Sequence, residues 1–197
     1  MGKTAEMRKP KDAPGTASRI LDTAEALVQT RGFNGFSYAD IAEALRVTKA
    51  SLHYHFPSKA DLGRRLIERY EATFLAALGA IEAGGAEPRA QLKRYAQIYA
   101  DVLRDDRMCL CGMLASDYAT LPKAMKEEVR HFFDENEQWL ATVLERGRKA
   151  GSLGFKGPAR EAARVLVGSL EGAMMLARSY GDASRFDTAA ERLIASL

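Results

Sequence analysis

The stretch from Gly35 to Leu62, "GFSYADIAEALRVTKASLHYHFPSKADL", sets cap, helix and stop signals at short intervals. Ser37 stands three residues before Asp40, the spacing of a reciprocal N-terminal cap. Ile41, Ala42 and Leu45 give the helix that follows one apolar face. "LRVT" interrupts it, and Thr48 suits the N-cap of a second short helix, Lys49 to Phe56. Pro57 ends that helix, because the residue before a proline is pushed out of the α region. Ser58 and Asp61 repeat the capping pattern and open a long amphipathic helix, with Leu62, Leu66, Tyr70, Phe74 and Leu78 at four-residue steps. Two short helices joined by so few residues can share a small cluster of Ile41, Ala42, Leu45, Val47 and Leu52. That is the pattern of a helix-turn-helix, with the second helix as the reading element.

Outward from this stretch, the helical period begins at Thr16, with Ile20, Leu21, Ala24, Leu27 and Val28, and breaks at "RGFNGFS". Residues 1–15 hold Pro10, Pro14, Gly15 and several charges, and read as a disordered basic arm. After the break at "EAGGAEP" the pattern predicts five more helices, over 88–105, 107–119, 122–149, 158–180 and 184–196. "AGSLGFKGP" contains three glycines, but no strand precedes it and no Gly-Lys-Ser/Thr follows. It reads as a helix stop and a loop rather than a phosphate cradle. No stretch alternates as a strand does, so the expected fold is all-α, with about nine helices.

Composition excludes several classes. The chain has 197 residues, 47% apolar and 28% charged, as in soluble globular proteins. No apolar run approaches the ~20 residues that span a bilayer. The first residues lack the apolar core of a signal peptide, so a cytoplasmic location is expected. The net charge of +3 arises within the first 75 residues, which favours an anionic partner at that end. The two cysteines, Cys109 and Cys111, form no disulfide framework and fit a reducing compartment.

Two of the three histidines lie in the reading helix. His53 and His55 are two residues apart, hence ~200° apart around a helix, and cannot share a metal ion from it. No metal site is predicted. Leu52 and Phe56 face the core, which leaves Lys49, Ala50, His53 and Tyr54 outward and Ser51 and His55 at the flanks. Lysine, hydroxyl and imidazole donors suit phosphates. Ala50 and Ser51 keep the helix slim enough for a major groove ~12 Å wide. The alternative is a helical hairpin that only packs into a core.

The quoted stretch resembles the signature of the TetR/AcrR family of transcriptional regulators, over about residues 16–66. The resemblance implies a homodimer of all-α subunits, each with a DNA-binding domain (16–62) and a larger ligand-binding and dimerisation domain (63–197). It assigns phosphate contacts to Tyr38 and Thr48, and base approach to Lys49 and Ala50, with Ser51 beside them. It makes His53, Tyr54 and His55 a ring-bearing set on phosphates and base edges, and Lys59 a phosphate clamp. Two positions depart from the pattern: Arg46 and Ala50 stand where the family often has glycine. If the turn needs a positive φ, Arg46 costs roughly 1 kcal/mol.

The implied function is a ligand-responsive repressor on a palindromic operator, with no cofactor and no enzymatic activity. His131, in "EEVRHFF", has no evident nucleophile in register and reads as a surface residue. Pocket candidates are Tyr99, Cys109, Met113, Phe133, Trp139 and Met174, with Phe132 and Met175, though aromatic and methionine stripes usually form core. Gly168, Ser169, Gly172 and Ala173 form a stripe of small residues that fits the family's dimer seam or packing within the chain. "CLCGMLASD" also resembles the sixth helix of a branch that includes sensors of reactive electrophiles, with a cysteine placed as Cys109 is. Arg107 and the helix start would then lower the Cys109 pKa. The alternative is an unreactive apolar effector, with both cysteines as core residues.

Overall fold

The computed structural model describes residues 15–197, and all regular structure among them is helical. The expected arm therefore lies outside the described residues, except for Gly15. Three helices form a head: α1 (Thr16–Arg31), α2 (Tyr38–Leu45) and α3 (Lys49–His55). A long α4 (Lys59–Ala83) runs from the head into the body. The body adds α5 (Pro88–Arg104), α6 (Leu110–Ser116), α7 (Lys123–Lys149), α8 (Ala159–Tyr180) and α9 (Ser184–Ala195).

Local chemistry accounts for the head. The Ser37 side chain and Asp40 form a reciprocal capping box at the start of α2, and Ser37 N donates to Asp40 Oδ2 at 2.8 Å. Arg46 closes α2 in the left-handed region, at φ 54°, and Val47 N donates back to Ala42 O at 3.0 Å. The turn thus takes the strained conformation anticipated for a non-glycine residue. Thr48 Oγ1 accepts from Ser51 N at 3.2 Å and starts α3. Ile20, Ala24, Val28, Ile41, Leu52, Phe56 and Leu62 are buried and hold the helices together. In the body, α7 packs on α4, α5 and α8, and α8 packs on α9.

The sixth helix is shorter than its expected range of 107–119. It spans seven residues, and a 3-10 turn (Tyr118–Thr120) follows. Periodicity overlooked two tethers. Met108 N donates to Gln29 O of α1 at 3.1 Å, and the Cys109 side chain caps the helix by accepting from Gly112 N.

The first of these belongs to a junction between head and body. Arg178 of α8 donates to Thr30 O at 3.0 Å and to Asp106 O at 3.1 Å. Asp117 Oδ2, at the end of α6, accepts from Phe33 N at 2.7 Å. Arg69 of α4 pairs with Asp22 and Glu25 of α1, each at 2.6 Å. At Gly63 a side chain would run into Met125 of α7 and the Phe33 ring, so glycine permits the close approach there. Among the described residues no helix is long and apolar enough to cross a membrane.

Candidate nucleic-acid interface and effector core

The reading helix is anchored on one side and bare on the other. Leu52 is fully buried and Phe56 nearly so, whereas Tyr54 is 83% exposed. Lys49, Ala50 and His53 are exposed, and Ser51 and His55 are half-buried. The Tyr54 and His55 rings meet edge-on, 5.2 Å apart. A hollow of about 430 Å³ flanks α3, lined by Phe36, Ser37, Tyr38, Ala39, Lys49, His53 and Lys59. The start of α2 borders it, so main-chain N–H groups and the helix dipole join the lysine charge there.

Two expected phosphate contacts are turned to structural work. Tyr38 is buried, and its hydroxyl donates to Phe56 O at 2.8 Å. Burial, with the nearby Asp61 charge, pushes its pKa up to about 12. Tyr38 therefore braces the end of α3, and its ring packs 4.8 Å from that of His53. The Lys59 ammonium donates to Phe33 O and Phe36 O, and it lies over both rings. Desolvation pulls its pKa down. Lys59 is a staple for the α1–α2 loop before it is a clamp for phosphate, although it still lines the hollow.

The body has a continuous aromatic interior. Tyr95 and Tyr99 hydroxyls lie 3.0 Å apart, and Tyr95 donates to buried Asn136 at 2.9 Å. Phe74 and Phe132 meet at 5.2 Å, and Trp139 stacks on Tyr95 at 5.7 Å. The Trp139 N–H is buried with no partner among the described residues. Cys109 and Cys111 are both buried. Tyr70 Oη donates to Cys109 Sγ at 3.8 Å. Burial, then the Glu171 carboxyl, pushes both thiols well above the usual range. Arg107 is turned away, to Asp105 at 2.6 Å and toward Gln29. The expected lowering of the Cys109 pKa is thus reversed, because desolvation outweighs a helix start only two turns long.

Between α6 and α8 lies a cavity of about 300 Å³, lined by Met108, Gly112, Met113, Ala115, Ser116, Phe133, Glu171 and Met175. Of the expected pocket residues, Met113, Phe133 and Met175 line it. Cys109, Tyr99 and Met174 are buried in the core, and Trp139 is stacked on Tyr95.

Comparison with known proteins places most of the chain. Residues 20–66 match the family of bacterial regulatory proteins, tetR family, and residues 88–193 match the tetracyclin repressor-like C-terminal domain. The chain belongs to the TetR family. A TetR-family regulator from Agrobacterium tumefaciens is 36% identical, with TM-score 0.89 over 92% of this chain and 96% of that one. A TetR regulator from Legionella pneumophila is 31% identical, with TM-score 0.86 over 94% and 99%. The transcriptional repressor NemR of Escherichia coli K12 is 26% identical over 172 residues, 83% of this chain and 84% of that protein. The structure of the reduced form of NemR superposes with TM-score 0.80.

Family membership makes this TetR-family chain a DNA- and effector-binding transcriptional regulator, and not an enzyme. Its small-residue stripe on α8 faces outward. Nothing lies within 4 Å of a side chain added at Gly168 or Gly172, while Ala173 packs partly on the core. Val165, Leu176 and Tyr180 on the same helix are exposed. Sequence reasoning missed Glu171, whose one signal is that it is the only charge between Val165 and Ala177.

Proposed function

We propose that the chain is a repressor that binds a palindromic operator as a homodimer and leaves it when a small, largely apolar effector enters the body. The exposure of Tyr54 on a helix anchored by Leu52 and Phe56 carries this reading. Lys49 and His53 supply donors around it. An exposed ring among cationic and hydroxyl groups suits a sugar–phosphate backbone and the adjoining base edges. The open α8 stripe, with Gly168, Gly172 and Ala173, is the proposed seam with a second copy. A hollow of about 630 Å³ between α8 and α9, lined in part by Gly172, Ala173 and Leu176, continues it.

The proposed division runs through α4, near residue 62. Thr48, Lys49, Ala50, Ser51, His53, Tyr54 and His55 then form the contact surface of the head. Effector binding beside α6 would act through Asp117, which holds the α1–α2 loop that Lys59 also pins. The two reading helices would cease to match major grooves one turn, ~34 Å, apart.

A mobility-shift assay with DNA from upstream of the gene tests this. The expected result is a shift that weakens steeply with salt and is lost in Tyr54→Ala. No shift at low salt with any palindromic fragment of that region would sink it. A second reading, in which Cys109 is the sensor, draws on the similarity to NemR, whose structure is of the reduced form. The burial of Cys109 opposes it in the resting state. Cys109→Ser separates the two: a variant that still releases DNA with every inducer leaves only the non-covalent effector.

A further inference from the structure

Glu171 lies on the inner side of α8 and has no ion-pair partner among the described residues. Its carboxylate extends toward α6, where a methyl group on Gly112 would overlap Oε2. Glycine at 112 thus leaves the carboxylate its space. Oε1 is sealed from solvent, and no donor among the described residues bonds to it. The same carboxylate borders the 300 Å³ cavity, beside the Phe133 ring and the Met108, Met113 and Met175 side chains.

The surroundings supply no positive charge. The titratable groups that act on Glu171 or are acted on by it are Tyr70 of α4, Tyr95 and Tyr99 of α5, and Cys109 and Cys111 beside and within α6. All are neutral when protonated and anionic otherwise. Glu71, which faces Cys111, is itself bonded to His131. Burial pushes the Glu171 carboxyl up to about 7, eased only by the Cys109 thiol. A buried acceptor without a donor is unfavourable unless something supplies the missing hydrogen bond. An aromatic face and polarisable sulfurs around a carboxylate favour an organic cation. A cavity of this size admits a ring with a short chain.

We propose that this cavity binds a small arylalkyl ammonium ion, its N–H donating to the Glu171 carboxylate and its apolar part packed on Phe133, Met113 and Met175. The proposal rests on the reading of the chain as an effector-controlled regulator and names the class of effector. The charged end selects, because a buried carboxylate with no ion-pair partner among the described residues attracts an ammonium and repels an anion. The apolar end adds affinity through burial.

Isothermal titration calorimetry on the full chain at pH 8, with Glu171 mostly ionised, tests it with three probes of one shape: phenethylamine, phenethyl alcohol and phenylacetate. The amine is expected to bind about 10-fold or more tightly than the alcohol, with phenylacetate weakest. Glu171→Gln should remove that preference while leaving the alcohol unchanged. Equal binding of amine and alcohol, tighter phenylacetate, no binding of the amine, or undiminished amine binding by Glu171→Gln each overturns the proposal. The three-probe comparison on the unaltered chain needs no variant to fold. A mobility shift with the same probes separates this claim from the wider one. Amine that binds without releasing DNA keeps the ammonium site and removes its effector role. DNA released by some other small molecule, with no amine bound, does the reverse.

Discussion

Two helices of seven residues have like pairs, one within α3 and one across the start of α6, and the structure treats them oppositely. On α3, His53 and His55 flank Tyr54 at the surface. At α6, Cys109 and Cys111 flank Leu110, and all three are buried. On α3, where both residues are helical, the spacing makes the rings diverge so that they do not share a ligand; Cys109 precedes α6 in non-helical backbone, so there only the sequence spacing is the same. That spacing dictates nothing about burial. The first helix is covered on the Leu52–Phe56 side only, whereas the second is enclosed by α1, α4 and α7. A short helix at the rim offers its side chains to a large partner. A short helix in the middle can only respond to something small enough to enter.

The contrast can be broken most directly with group-specific reagents. A thiol reagent should modify the native chain at least ~100-fold more slowly than the unfolded chain, since both thiols are buried and protonated. Diethylpyrocarbonate should label His53 in the native chain, because its ring is exposed. Comparable protection of the two pairs would overturn the comparison. The next largest effect is on DNA: Tyr54→Ala should lose roughly 100-fold in affinity with an unchanged melting temperature, because the ring touches little of its own chain. A variant that melts earlier would show that Tyr54 is structural.

Glu171→Gln sharpens the buried side. Its folded pKa of about 7 lies above the 4.5 of a free glutamate, so the folded state holds the proton more tightly. Stability from this group is complete below pH 4.5 and is lost as pH rises to 7. The glutamine variant should therefore gain about 3 kcal/mol over the parent at pH 8 and nothing at pH 4, measured by urea denaturation. Equal gains at both values would assign the effect to packing. The head offers a smaller test. Arg46→Gly relieves a left-handed arginine and should stabilise by about 0.5–1 kcal/mol, offset in part by glycine's freedom when unfolded.

The smallest effect belongs to His131, which Glu71 holds at 2.7 Å with a raised pKa, first through the hydrogen bond and then through charge. Its contribution is full below pH 6.5 and fades as pH rises through the folded value. Solvent screening limits it to a few tenths of a kcal/mol. His131→Gln should remove that pH dependence from the unfolding midpoint.

Helix ends were legible where a side chain caps its own neighbour. Ser37, Thr48 and Ser58 mark starts that the structure reproduces, because such bonds span only three residues. The outward face of α3 was legible for the same reason, since Leu52 and Phe56 define its opposite. Side-chain direction at Tyr38 and Lys59 was not, because their partners lie 18 to 26 residues away. Glu171 was hidden further still. It meets α6 across almost 60 residues of chain, and a single charge in an apolar stretch names no partner.

The junction between head and body is made largely with main-chain atoms of the head. Arg178 and Met108 bind the carbonyls of Gln29 and Thr30, and Asp117 binds the amides of Phe33 and Asn34. Every amino acid but proline offers the same two groups there. A transplant should therefore succeed: a foreign reading head whose first helix ends at the same point could be joined to this body and inherit its chemical control. Only contacts with side chains of the head, such as those of Arg69 with Asp22 and Glu25, would have to be matched.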